Sequence, residues 1–167
     1  MKKKKNIFML TIMSIILVIY IIGMTILNIK FIRYINPSPI TYVSIAWEID
    51  LPKPDKMEII YGRGSAEGED LEIWQYNEEE IKDIINNSSF KKIDEQNKEF
   101  VLQKINSYYD GARPEEEKLF DENIDVECLV VEENYFAFNT DKSNEASWIL
   151  LILDYKTGKL YYFVNVY

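Results

Sequence analysis

The sequence SWILLILDYKTGKLYYFVNVY, residues 147–167, decides the fold of this chain. Every residue from 148 to 153 is apolar, and the segment after the turn is apolar or aromatic at nearly every position. Lys156-Thr157-Gly158 predicts a three-residue hairpin loop with glycine at its left-handed position. A strand that is apolar on both faces has to be covered on both, by helices and a second layer or by a partner. We therefore predict paired, buried strands over 147–155 and 159–167.

Other segments have the pattern of short strands. In the first of them, Val43, Ile45 and Trp47 alternate with their neighbours and would share one face of a strand. A glycine-rich loop over 62–70 separates two others. The additional predicted strands cover 41–49, 57–61, 71–76, 126–131 and 135–139. Together with the hairpin they predict an antiparallel sheet.

Three segments carry the start signals of helices. Asn77 can cap a helix whose first turn is acidic, and Asp94 can cap a second helix that runs to Tyr109. Pro114 suits the first position of a third helix, which ends near Asn123. The chain beyond residue 40 is therefore predicted to be one small α+β domain, an antiparallel sheet with two to three packed helices.

The N-terminal part of the chain has the pattern of a membrane segment. Residues 7–29 are almost entirely apolar and, at about 1.5 Å per helical residue, long enough for a bilayer core of about 30 Å. Four lysines within residues 1–6 favour a cytoplasmic N-terminus. We predict a single-pass signal-anchor helix over 7–29, a juxtamembrane linker over 30–39 and an extracytoplasmic domain over 40–167. A cleaved signal peptide is the alternative.

The predicted domain is strongly acidic. Residues 40–167 contain 28 acidic and 13 basic residues, hence a net charge of −15. Such a charge keeps a domain soluble and repels polyanions, which argues against nucleic acid as a ligand. The expected partners are the membrane, through 7–29, and a cationic protein or peptide.

The residue types limit the chemistry that the chain can perform. It contains no histidine, which removes the usual general base near neutral pH and every histidine-dependent triad. Cys128 is the single cysteine and lies in an apolar stretch, so we expect it to point into a core. We predict no enzyme activity and no cofactor, and the remaining enzymatic alternative is a hydrolase that uses a carboxylate pair.

Three motifs resemble known sites, and each lacks the context that its chemistry needs. The glycines of 62–68 are followed by a strand pattern instead of the helix that a dinucleotide site requires. Ser88-Ser89-Phe90-Lys91 follows a helix, whereas the serine of a penicillin-recognising enzyme starts one. Asp121, Asn123 and Asp125 have the spacing of the first ligands in a calcium-binding loop, but Val126 occupies the position where such a loop has glycine. We assign no site to any of them.

The final strand supplies the candidate residues for partner binding. Tyr161, Phe163 and Tyr167 alternate with other apolar residues, so one face of this strand belongs to the core. The other face is either covered by the helices of the domain or exposed to a partner. In the second case, replacing Tyr161 or Phe163 by alanine would weaken binding without unfolding the domain.

These observations lead to three hypotheses of function. The first is a non-enzymatic binding or regulatory domain at a bacterial cell envelope, since the bias toward Lys, Ile, Asn and Glu is typical of AT-rich bacterial genomes. The second is an immunity-type protein that neutralises a secreted toxin or bacteriocin. The third is the hydrolase with a carboxylate pair. All three place the domain outside the cytoplasm, held by the signal-anchor.

Overall fold

A computed structural model describes residues 38–62 and 68–167, together with Val18 and Met24. The chain divides into two units, 1–42 and 43–167. No helix within the described part of the chain is long and apolar enough to cross a membrane. Apart from Val18 and Met24, which are helical, the predicted anchor over 7–29 lies outside the described residues. It stays a prediction.

The described residues form an antiparallel sheet of six strands with several helices, which confirms the predicted α+β domain. Along the sheet the order is β1-β2-β6-β5-β4-β3, so the predicted hairpin, now β5 and β6, lies at the centre. The strands are β1 (Lys56–Tyr61), β2 (Gly68–Gln75), β3 (Lys91–Lys92), β4 (Tyr135–Thr140), β5 (Trp148–Asp154) and β6 (Lys159–Val166).

The hairpin loop has one residue more than the sequence predicts. Asp154 pairs with Lys159, which leaves residues 155–158 between the strands. The Asp154 side chain accepts hydrogen bonds from the backbone N–H of Lys156 at 3.0 Å and from the hydroxyl of Thr157 at 2.6 Å. Gly158 has a φ of +71°, so the predicted left-handed glycine is confirmed.

Three of the helices were predicted from their start signals. Asn77 forms a capping box with Glu80, and Pro114 occupies the first turn of its helix. Asp94 caps the turn that precedes the helix Lys98–Gly111, which begins four residues later. The helices are α1 (Pro39–Trp47), α2 (Glu78–Asn86), α3 (Lys98–Gly111), α4 (Pro114–Asn123) and α5 (Val126–Leu129).

The strand predicted over 41–49 is wrong, because residues 39–47 form helix α1. Val43 and Trp47, four residues apart, are buried, whereas Ile45 between them is 69% exposed. This is the period of a helix. The signal for it was local: the Ser38 hydroxyl accepts a hydrogen bond from the backbone N–H of Thr41, and Pro39 follows as the first helical residue.

The strand predicted over 126–131 is also wrong, because helix α5 begins there. The Asp125 side chain accepts a hydrogen bond from the backbone N–H of Cys128 at 3.2 Å and caps this short helix. Cys128 is therefore exposed and does not enter the core as predicted. The buried residues of this segment are Leu129 and Val130.

The central hairpin is buried on both faces, as its sequence requires. On one face, Leu150, Ile152 and Phe163 pack in a cluster with α3 and α4. The alternate residues on the opposite face are also buried: Leu151, Leu153, Leu160, Tyr162 and Val164. Buried side chains of α1 and α2 lie outside the first cluster, and we infer that they cover this second face.

Candidate functional site

The structure does not gather the three predicted binding residues into one exposed patch. Tyr161 is 9% exposed, Phe163 is 0% exposed and Tyr167 is 63% exposed. The Phe163 ring lies 5.4 Å from that of Tyr108, on the face covered by α3. In the folded domain, only Tyr167 offers its ring to a partner, and a binding role for the other two stays a prediction.

Polar side chains instead converge at one end of the sheet, on the face that α3 covers. Glu69 of β2 pairs with Asn165 of β6, so the two are direct cross-strand neighbours. Asn165 lies two residues beyond Phe163 and therefore shares its face. From β1, the Tyr61 ring packs over the same end of the sheet, at 6.2 Å from the Tyr108 ring. We call these four residues, Tyr61, Glu69, Tyr108 and Asn165, the acceptor cluster.

Three oxygens of the acceptor cluster are buried without a hydrogen-bond partner among the described residues. They are the hydroxyls of Tyr61 and Tyr108 and the side-chain oxygen of Asn165. The two hydroxyls interact, but their geometry does not meet that of a hydrogen bond. Each such group costs about 1–3 kcal/mol of stability, and native proteins keep few of them. Because three such oxygens occur at the same end of the sheet, we take this end as the candidate functional site.

Glu69 is the charged member of the acceptor cluster, and it is only partly buried. Burial raises the pKa of Glu69 to about 7, and the nearby charge of Glu116 adds to the increase, whereas Arg113 opposes it. The carboxyl group lies against the end of α3, since a Cβ atom on Gly111 would be 2.5 Å from its Oε1. A helix C-terminus carries partial negative charge, which favours a cation at this position.

Glu116, next to the acceptor cluster, has a structural role. Its Oε2 accepts a hydrogen bond from the backbone N–H of Arg113 at 2.8 Å, and its Oε1 accepts one from Arg113 Nε at 3.0 Å. These bonds lower the pKa of Glu116 and fix the start of α4. Glu116 therefore stays ionised, and its charge is paired with that of the Arg113 guanidinium.

Glu72, another acid of β2, is buried but has a hydrogen-bond partner, unlike the three oxygens of the acceptor cluster. Glu72 points to the opposite face, where its carboxylate accepts a hydrogen bond from Trp74 Nε1 at 2.7 Å. Metal binding has no support in residues 38–62 and 68–167, because no three histidine, cysteine, aspartate or glutamate side chains there are placed to hold an ion. That part of the chain includes the calcium-like segment from Asp121 to Glu132.

None of the four members of the acceptor cluster is among the site residues that the sequence pattern predicts. One signal could have found Asn165: it is the polar interruption in an otherwise apolar central strand. A polar residue inside such a strand needs a partner or a function. Nothing in the sequence links it to Tyr61, Glu69 and Tyr108.

Replacing Glu69 by glutamine is expected to stabilise the protein above pH 7 and to have no effect near pH 4.5. The folded-state pKa of about 7 lies above the ordinary value of 4.5, so the folded protein binds this proton more tightly than the unfolded chain does. Wild-type stability therefore falls as the pH rises between these values. Since Glu69 is partly exposed, we expect a gain of about 1–2 kcal/mol for Glu69→Gln at about pH 8.

The measurement is the free energy of unfolding from urea titrations at about pH 5 and pH 8. The groups that face Glu69 are Tyr61, Tyr108, Arg113 and Glu116. Glu95→Gln is the matched control, because exposed Glu95 precedes α3 whereas Glu69 lies at its far end. The 14 residues of α3 separate them by about 20 Å. Parallel pH profiles for wild type and Glu69→Gln would contradict the prediction.

Comparisons with known proteins give no relative from which a function could be transferred. No protein-family model matches the chain, and neither a curated protein nor a solved structure matches it. The function has to follow from the chemistry of the acceptor cluster and from the charge of the domain.

Proposed function

We propose that this protein is a binding or regulatory domain at a bacterial cell envelope and that its partner is a cationic protein or peptide. Residues 7–29 would tether it to the membrane, with residues 40–167 outside the cytoplasm. The observation that supports a cationic partner best is the acceptor cluster, in which a carboxyl group and three unpartnered oxygens meet at the negative end of α3.

The charge of the whole domain supports the same partner. A net charge of −15 over residues 40–167 creates a field that attracts cations over a distance of about one Debye length. Such a field accelerates association by about 10–1,000-fold and weakens as salt screens it. The domain-wide field would bring a cationic partner to the surface, and the acceptor cluster would then hold it.

A hydrolase with a carboxylate pair is the second candidate, and one observation favours it. The pKa of Glu69 is raised and that of neighbouring Glu116 is lowered, which is the pattern of an acid and a base in one active site. We rank this function second because Glu116 is 7% exposed and both of its oxygens accept hydrogen bonds from Arg113. A substrate or a water molecule would have to share these oxygens with Arg113.

Isothermal titration calorimetry tests the proposal with a ten-residue lysine peptide as the probe. The full chain, in a nonionic detergent, is expected to bind this peptide at about 50 mM NaCl and at least about tenfold more weakly at about 300 mM, because salt screens the attraction. A ten-residue serine peptide is the neutral control. The proposal fails if the lysine peptide does not bind or if its binding is indifferent to salt.

A further inference from the structure

We propose that the acceptor cluster is a binding site for a primary ammonium group, such as the tip of a lysine side chain. This inference rests on the proposed function and names the group that the cationic partner inserts. It concerns Tyr61, Glu69, Tyr108 and Asn165, which come from four different elements of the fold.

The hydrogen-bonding capacity of the site matches an ammonium ion. The unpartnered side-chain oxygen of Asn165 can only accept, and the hydroxyls of Tyr61 and Tyr108 each have accepting lone pairs. An ammonium group has three N–H donors and no acceptor, so it complements a set of oxygens and an ionised Glu69. A guanidinium group instead prefers a planar pair of acceptors on one carboxylate. Here three of the acceptors belong to side chains other than a carboxylate and come from separate elements of the fold.

Aromatic rings form the wall behind these oxygens. The Tyr61 and Tyr108 rings are stacked, and the Trp148 ring meets Tyr108 edge-on with 6.0 Å between centroids. The domain already holds one ammonium group over this wall, because Lys104 Nζ lies 5.6 Å from the centre of the Trp148 ring. Cations are attracted to the faces of such rings. Because the Tyr61 and Tyr108 rings are stacked on each other, these two residues offer their hydroxyl oxygens to the site instead of their ring faces.

The acceptor cluster has one partly exposed member and charged neighbours. Tyr61, Tyr108 and Asn165 are each less than 9% exposed, whereas Glu69 is partly exposed and Gly111 beside it is exposed. In the proposed site, the ammonium group of a partner would first meet Glu69, the partly exposed member of the cluster. The negative end of α3 lies beside Glu69 and favours a positive charge, whereas Arg113, which is paired with Glu116, opposes it.

The experiment compares variants of the full chain in nonionic detergent at about pH 8, where Glu69 is largely ionised. Glu69→Gln is expected to weaken binding of the ten-residue lysine peptide about tenfold or more, because a charged hydrogen bond is lost. Glu95→Gln removes the same charge at the other end of α3 and should change affinity less than about twofold. Tyr108→Phe should weaken binding while it preserves or raises the melting temperature, since the lost hydroxyl had no partner.

Small cations separate recognition of the ammonium group from general attraction. Butylammonium chloride should raise the melting temperature of the wild type more than tetramethylammonium chloride, which has no N–H donor. Equal stabilisation by the two salts, or stronger stabilisation by butylguanidinium, would overturn the inference. Equal losses of peptide affinity in Glu69→Gln and Glu95→Gln would overturn it and leave the proposed function standing. Failure of the wild type to bind the lysine peptide would instead remove the proposed function.

Discussion

Phe163→Ala is expected to lower the free energy of unfolding by about 3–5 kcal/mol, the usual cost of truncating a fully buried phenylalanine. Phe163 lies in the middle of central strand β6 and has no exposed surface. Its ring centre is 5.4 Å from that of Tyr108 on α3 and 6.2 Å from that of Phe120 on α4. The alanine variant would leave a cavity where the sheet meets both helices.

Urea denaturation of the full chain in nonionic detergent, followed by near-ultraviolet circular dichroism, measures this effect. Tyr167→Ala is the matched control, because this aromatic residue just beyond β6 is 63% exposed and its loss should change stability by less than about 0.5 kcal/mol. Equal losses for the two variants would contradict the placement of Phe163 in the core. Because Phe163 is buried, its alanine variant cannot separate binding from folding.

Gly158→Val is expected to cost about 2–5 kcal/mol, which agrees with the loss of about 1 kcal/mol or more that the hairpin sequence alone predicts. Two effects add in the structure. A β-branched residue resists the φ of +71°, and a Cβ atom at this position would lie 2.5 Å from the backbone oxygen of Tyr76. Backbone cannot move aside as a side-chain tip can, so the hairpin or the end of β2 has to shift.

Gly111→Ala is the control for this prediction. A Cβ atom on Gly111 meets only the end of the Glu69 side chain, and alanine is favoured over glycine in a helix by about 1 kcal/mol. We expect its unfolding free energy to stay within about 1 kcal/mol of the wild type. Thermal and urea unfolding of the two variants provide the comparison, and equal losses would refute the assignment of Gly158.

Local signals were sufficient for much of the secondary structure. The cap at Asn77, the turn at Asp94 and the proline at 114 act over a few residues, so the sequence predicts α2, α3 and α4, although α3 begins four residues after Asp94. The same kind of signal occurs at Ser38 and Asp125, where the apolar residues that follow predict strands instead. In both places the cap identifies the helix better than the hydrophobic pattern does.

The sequence by itself determined the centre of the fold. The residues of 148–153 are apolar without alternation, so this strand had to be buried on both faces, and Gly158 had to form the turn because other residues resist a positive φ. These conclusions need only the preferences of neighbouring residues and the alternation of side chains along a strand. Tertiary structure was not required for them.

Only the tertiary structure decided where the candidate site lies. The register of β2 against β6 brings Glu69 beside Asn165, and the packing of α3 on that face adds Tyr108. The packing of the edge strand β1 supplies Tyr61. Sequence preferences act over a few residues, whereas these four meet through strand pairing and helix packing between distant parts of the chain. Burial then sets the pKa of Glu69 and leaves three oxygens without partners, and neither property can be read from a residue and its neighbours.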